Sequence, residues 1–317
     1  MLMVKADGYG HGIDNVASLC GDLVDWFGVA TASEGIVLRD SGIDKPILVT
    51  AMSSHSAYDI VKYSLTAVID NIEFAKSLSN NAVQLKKETN IHIKIDTGMN
   101  RLGVKTESEL HRLVSKVEQL PNIHIQGYCS HFYDSDTLSL DIQNKKFCEL
   151  TSGYMGIKHI ANSEATLAND LYHYDMVRLG ILAYTGITNA MTLVSTIVSK
   201  KRVLSGESVG YNAVFKAISN TMIAVVIGGY YDGIMRNMVG QEVLVNGTKC
   251  PIIAVCMDTF MIDIGKIHAK VGDNVIIIGT SGKHTIKASD IAYKCNTISY
   301  EVLTNIKATR AERIYYI

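Results

Sequence analysis

The 317-residue sequence is poor in the residues that mark linkers and tails. It has three prolines and one tryptophan, so proline-rich spacers and extended recognition segments are excluded. Lys and Arg total 30 against 31 Asp and Glu, a formal net charge of −1. There is therefore no overall basic excess of the kind that grips nucleic acid. No apolar run reaches membrane-spanning length. The opening MLMVKADGYGHG carries charge and glycine where an export signal needs an apolar stretch. The six cysteines, Cys20, Cys129, Cys148, Cys250, Cys256 and Cys295, are far apart and form no CxxC pair. They point to a reduced, cytoplasmic chain with no cysteine metal site. What the sequence has is apolar substance: 47% hydrophobic and 19% charged residues. Disorder is excluded, and the length fits one large barrel with a smaller module.

Short β-rich runs recur through the first half, at 1–5, 26–31, 46–51, 66–70, 91–96, 123–130, 157–162 and 176–184. The stretches between them fit helices. Segment 14–25 starts at Asp14 and keeps helical apolar spacing. Segment 72–88 ends in lysines, and 107–119 repeats Leu110, Leu113, Val114 and Val117. Eight strands alternating with helices predict a parallel (β/α)8 barrel over 1–187, with an open doubly wound sheet as the alternative. From about 190 the texture changes to successive strands separated by turns such as Asn246-Gly247, with one short helix near 287–294. Residues 188–317 read as an antiparallel β domain.

Barrels of this type carry their chemistry at the C-terminal ends of the strands. Lys5 follows the first strand, and a lysine there is costly to bury charged. A depressed amine pKa would suit a Schiff base or a proton carrier. Lys94 and Arg101 follow the fifth strand, His131 the sixth, Asn162 and Ser163 the seventh, and Arg178, Gly180 and Ile181 the eighth. Loops after the last two strands often hold phosphate. A lysine facing a phosphate seat is what pyridoxal phosphate requires. Taken singly, each residue has a plainer reading. A strand-end lysine is more often on the surface, a glycine cluster more often a tight turn, and a histidine more often structural. The joint order carries the argument.

That order resembles the fold-type III, pyridoxal-phosphate-dependent alanine racemases. VKADGYGHG matches the cofactor-lysine signature, with Asp7-Gly8 in place of the usual Asn-Ala. KIDTGMNRLG, HIANSEATL, MVRLGILAYTG, ESVGYNAVFKA, IGGYYDGIMR, CPIIAVCMD and YEVL follow in family order across nearly the whole chain. The resemblance implies a (β/α)8 barrel followed by a C-terminal β domain, and an isomerase that interconverts L- and D-alanine for D-alanine and peptidoglycan supply. It implies that Lys5 joins pyridoxal 5'-phosphate as a Schiff base and serves as base on one face of the amino acid. Tyr211, supplied by the partner of a head-to-tail homodimer, would serve the opposite face. Arg101 and Met257 would bind the substrate carboxylate. Arg178 would face the pyridine nitrogen with His131 behind it. Tyr9, Asn162, Ser163, Gly180, Ile181 and Tyr300 would hold the cofactor. Tyr230 and Asp258 would line the entrance or support Tyr211, and Lys94 matches a lysine that some members carry as a carbamate. No metal is implied.

The family's usual strand and helix before the lysine motif have no counterpart here. The expectation is either a piece of a longer chain or a different start, with membrane tethering only through a preceding domain. The stretch SHFYDSDTLSLDIQNKKF is similar to the serine/alanine racemases of glycopeptide-resistance systems. Tyr300 favours alanine, since a bulky ring leaves room for a methyl. The alternatives are a serine or broad-specificity racemase and a cofactor-binding fragment without turnover. A decarboxylase of the same fold is disfavoured by Tyr211 and Arg178.

Overall fold

The computed structural model describes residues 1–51, 53–186, 190–307 and 310–316. Two compact units emerge. The first comprises Met1–Gly8 with Gly12–Ala183, and the second Tyr9–His11 with Tyr184–Ile317. The expected boundary between 187 and 188 lies outside the described residues.

In the first unit seven parallel strands run in sequence order: β1 (Leu2–Met3), β2 (Phe27–Val29), β3 (Ile47–Val49), β4 (Thr66–Ile69), β5 (Thr89–Lys94), β6 (Ile123–Cys129) and β7 (Ile157–His159). Strands β2 to β4 are buried along their whole length, as strands of a helix-covered parallel sheet must be. The connecting helices are fixed by local chemistry. Thr31 and Glu34 form a capping box for Ala32–Asp40, and Thr106 and Glu109 one for Glu107–Val117. The latter buries Leu110, Leu113, Val114 and Val117. Each such apolar side chain contributes about 1.5–3 kcal/mol on burial.

The expected eighth strand at 176–184 is corrected. Only Leu179 bridges Leu2. The Leu179 N–H donates to the Met1 carbonyl, the Met3 N–H donates to the Leu179 carbonyl, and the Arg178 N–H donates to the Ala161 carbonyl. The chain then turns into the helix Ile181–Thr185. The barrel is thus a curled, partial one of seven strands.

Lys5–Tyr9 coils left-handed. Ala6, Asp7, Gly8 and Tyr9 have φ of 52°, 55°, 60° and 52°. Left-handed coiling costs an L-residue roughly 1–2 kcal/mol. Backbone bonds from Gly8 N–H to the Val4 carbonyl and from Gly12 N–H to the Asp7 carbonyl hold it. Glu34 adds a third tie: its Oε1 accepts the Ala6 N–H at 2.7 Å while Oε2 accepts the Ala30 N–H at 2.7 Å.

The second unit is antiparallel. Strands β8 (Leu193–Val203), β9 (Ser208–Val209), β10 (Phe215–Lys216), β11 (Thr221–Ile227), β12 (Glu242–Val245), β13 (Thr248–Val255), β14 (Thr259–Asp263), β15 (Asn274–Ser281) and β16 (His284–Ile286) precede the helices Ala288–Cys295 and Ser299–Thr304. The main sheet runs β12-β13-β14-β11-β8-β15-β16, and β12 also pairs with β15. That second pairing closes the ring β12-β13-β14-β11-β8-β15 on itself, with β16 attached to β15. The tail ties Tyr9–His11 into this unit: Arg313 donates to the Gly10 carbonyl at 3.1 Å and the Tyr315 hydroxyl to the His11 carbonyl at 2.8 Å.

Candidate active site

The first unit carries nine of the expected residues: Lys5, Lys94, Arg101, His131, Asn162, Ser163, Arg178, Gly180 and Ile181. Lys5 is half-buried at the start of the left-handed turn. Its amine pKa is lowered, first by burial and then by Arg101, with Glu34 acting in the opposite sense. Lys94 ends β5 and is lowered to about 8, mainly by burial, with Arg178 and Arg101 adding repulsion. A neutral amine is therefore accessible near neutral pH at a site crowded with cations. His131 is pushed down to about 2 by burial, then by Arg178, Lys94, Arg101 and Lys5. It stays neutral, and its Nδ1 lies 3.2 Å from Arg178 Nη2.

Arg178 is the most constrained of the group. Besides His131, its Nη2 donates to the carbonyls of Ser130 at 2.7 Å and Ile160 at 2.9 Å, and its Nη1 meets His159 Nδ1 at 2.7 Å. Because guanidinium has only donors, each of these partners must accept. Arg101 rides on a loop shaped by buried Asp96, whose Oδ1 accepts the N–H groups of Gly98 at 2.9 Å and Asn100 at 3.1 Å.

Ser163 opens the helix Ser163–Ala168, capped by Asn162, whose side-chain oxygen accepts the Ala165 N–H at 3.0 Å. Ser163 Oγ in turn accepts the N–H groups of Gly180 at 2.9 Å and Leu182 at 3.3 Å. Backbone donors and a hydroxyl thus converge where a phosphate seat is expected, and a lowered amine lies in the same unit. These residues fit the donor set that pyridoxal phosphate needs.

The second unit holds the rest. Tyr9 is buried with its phenol pushed up to about 12, by burial and then by Tyr300, whose ring centroid is 5.9 Å away. Tyr211 begins a short turn after Gly210 and is 75% exposed. Asn212 and Ala213 just beyond it also take positive φ, 57° and 52°. Tyr230 N–H donates to the Cys256 carbonyl at 3.0 Å and Gly228 N–H to the Asp258 carbonyl at 2.9 Å, so the loops bearing Tyr230, Met257 and Asp258 are zipped together. Only glycine serves at 229, where a Cβ would come within 2.2 Å of the Met257 carbonyl. Asp258 is engaged by Arg310, Nη1 to Oδ1 at 2.6 Å, and that guanidinium lies 4.4 Å over the Tyr231 ring.

The comparisons bear directly on this arrangement. The model of the alanine racemase N-terminal domain matches residues 1–187 and that of the C-terminal domain residues 190–315. The alanine racemase of Clostridium novyi is 34% identical, over 99% of this chain and 88% of its own. That of Thermodesulfovibrio yellowstonii is 36% identical, again over 99% and 88%. The chain belongs to the alanine racemase family. Members of this family use pyridoxal 5'-phosphate. Among solved structures, the alanine racemase of Clostridium difficile 630 superposes with a TM-score of 0.89 at 32% identity, covering 96% of this chain and 86% of that one. A histidine racemase from Leuconostoc mesenteroides superposes at 0.90 with 26% identity, covering 99% and 90%.

Three residues of the alanine racemase site region escaped the sequence reading: Glu34, His92 and His159. His92 lies two residues before Lys94 on β5, so strand alternation turns both to the same face. That spacing was the available signal. His159 sat inside the recognised HIANSEATL run. Among the described residues no helix is long and apolar enough to cross a membrane.

Proposed function

We propose that this chain racemises alanine by proton transfer on both faces of the substrate's Cα, with Lys5 and Tyr211 as the two bases. The observation that carries the proposal is the lowered amine of Lys5, set among Arg101, Arg178 and Glu34 at the strand end where the family places its cofactor lysine. Lys5 would hold pyridoxal phosphate, with Ser163, Gly180, Ile181, Asn162, Tyr9 and Tyr300 supplying donors to it. When bound, the cofactor supplies an electron sink beside the carbon that loses its proton. Lys5 Nζ, whose pKa burial lowers, accepts or returns the Cα proton on one face. Tyr211 Oη does so on the other. The exposure of Tyr211 supports delivery to the active site of a partner chain in a head-to-tail homodimer. Arg101 and the Met257 backbone bind the substrate carboxylate. Arg178 remains charged and keeps a positive neighbour at the ring nitrogen, which disfavours a further proton there. In this reading Lys94 carries a carbamate, and residues 1–187 and 188–317 act as the cofactor barrel and the contributing β domain. Six free cysteines are consistent with a cytoplasmic place of action.

A serine or broad-specificity racemase is the second reading, because the fold is shared with a histidine racemase. One hydroxyl changes discrimination in an apolar pocket by only about 1–3 kcal/mol, so serine turnover as a side activity is expected.

The test is reduction with borohydride in the presence of pyridoxal phosphate, with peptide mapping, followed by chiral assay of L-alanine conversion. Modification of Lys5 together with D-alanine production supports the proposal. Modification elsewhere, or a modified Lys5 in an assembled dimer that forms no D-alanine, overturns it.

A further inference from the structure

β6 carries one residue more than its neighbour. Ile91 pairs with Ile125 and His92 with Gly127, which leaves Gln126 as the bulged residue. Bulges re-aim a side chain. Here Gln126 Oε1 and His92 Nε2 are both buried, and among the described residues neither has a hydrogen-bond partner. The Gln126 side chain nevertheless acts on His92 as an acceptor. Gly127 makes the space: a Cβ there would stand 3.0 Å from the His92 ring.

The rest of the path has a forced direction. Arg178 Nη1 can only donate to His159 Nδ1 at 2.7 Å. His159 must then carry its proton on Nε2, which faces His92 Nδ1 at 2.8 Å. His92 must in turn accept there and carry its own proton on Nε2. The opposite order would place an Nδ1–H of His159 against the guanidinium, donor to donor. The chain therefore ends in one unmatched donor, and Gln126 Oε1 is the unmatched acceptor beside it. A buried donor and a buried acceptor do not stay unpaired.

We propose that Gln126 closes a one-way hydrogen-bond chain, Arg178–His159–His92–Gln126, and so acts as a positioning residue that fixes both imidazole tautomers and the set of the Arg178 guanidinium. Its consequence for catalysis rests on the proposed role of Arg178 beside the cofactor. The chain itself is a property of the polypeptide. With both rings neutral and directed, Arg178 keeps four acceptors and cannot swing toward another partner. Without Gln126, the His92 proton has no buried acceptor, and the two rings lose the constraint that orders them.

The experiment is two-bond 1H–15N correlation of the histidine side chains in the full-length protein, before and after adding pyridoxal phosphate, alongside racemase kinetics. The wild type is expected to show His159 and His92 both protonated on Nε2. Gln126→Leu is expected to lose the slowly exchanging His92 Nε2–H signal and to lower kcat about tenfold with KM little changed, since couplings through such networks are of that size. Gln126→Met serves the same purpose if the leucine variant does not fold. A wild-type proton on Nδ1 of either ring overturns the proposal. So does a substitution that leaves the His92 exchange unchanged, or one that removes the signal while kcat stays within twofold. A wild-type chain with the expected tautomers but no racemase activity would sink the functional reading and leave the chain of hydrogen bonds standing.

Discussion

Lys94 offers a prediction whose size follows from the structure. Burial lowers its amine from 10.5 to about 8, with Arg178 and Arg101 nearby. The folded state therefore binds this proton less tightly than the unfolded chain, so folding releases protons and stability rises with pH. The penalty is full below pH 8 and is relieved as pH climbs toward 10.5. At 1.36 kcal/mol per pH unit the whole penalty is about 3 kcal/mol, of which about 2 kcal/mol is recovered between pH 7 and pH 9.5. Lys94→Met keeps the length of the side chain and removes the titration. In bicarbonate-free buffer it is expected to exceed the wild type at pH 7 and to lose about 2 kcal/mol of that advantage by pH 9.5. Urea titration followed by the fluorescence of Trp26 reads the right unit, because this is the sole tryptophan and it packs in the barrel 5.6 Å from His92. Taking the difference between variant and wild type cancels the phenols of Tyr128, Tyr172 and Tyr174, which titrate near 12 in both. Bicarbonate is then expected to stabilise only the wild type, because a carbamate replaces a cation with an anion among arginines. Parallel pH curves for the two proteins, with no bicarbonate effect, would refute the reasoning.

Gly127→Ala would place a Cβ 2.4 Å from the Ile157 carbonyl and 3.0 Å from His92; a loss of about 1–3 kcal/mol is expected in the same Trp26-monitored urea titration. Glu34→Gln turns one of two accepting oxygens into a donor facing backbone N–H groups, at about 1.5–3 kcal/mol. It also removes the one influence that raises the Lys5 pKa, so the pH at which that amine reacts with an acylating label should fall; an unmoved labelling profile would count against the contact. Tyr211→Phe should leave stability unchanged, since the side chain is 75% exposed. It should cut alanine racemisation by about 100-fold or more while Lys5 can still be trapped with cofactor, and a loss below tenfold in the chiral assay would remove Tyr211 from the two-base reading.

Alternation and turn chemistry made most of the fold legible, and particular residues show where that stopped. Strands β2 to β4 read clearly because short, largely apolar runs rich in β-formers recur between turn residues and helical segments. MVRLGILAY looked the same, yet Gly180 interrupts it and Ile181–Thr185 turns helical. A short apolar run does not distinguish strand from helix without its neighbours. Asn162 was singled out by its place after β7, and its side-chain oxygen caps a helix. Asp258 lay in a recognised motif, while its pairing with Arg310 spans 52 residues and leaves no local trace. The same holds for His92 and His159, 67 residues apart. Periodicity places each on an inward face, but only the curl of the sheet makes them meet.

The left-handed turns carry a further point. Ala6, Asp7 and Tyr9 follow Lys5, and Asn212 and Ala213 follow Tyr211, all with positive φ. Such residues cost about 1–3 kcal/mol each and persist only where the surroundings over-determine them. Asp7, Gly8 and Asn212 are of types that visit this region readily, but Ala6, Tyr9 and Ala213 are not, so at those positions the geometry must be imposed. At Lys5 the source is visible: the Glu34 carboxylate takes the Ala6 N–H, and Asp7 Oδ1 takes that of Ile13 at 3.1 Å. At Tyr211, Gly210 lets the turn lie against Ala254, where a Cβ would come within 2.7 Å. Both side chains assigned to opposite faces of the substrate thus leave the backbone at its most constrained points. A proton carrier must return to the same place at every turnover, and strain held by the fold is one way to keep a flexible lysine or an exposed tyrosine there.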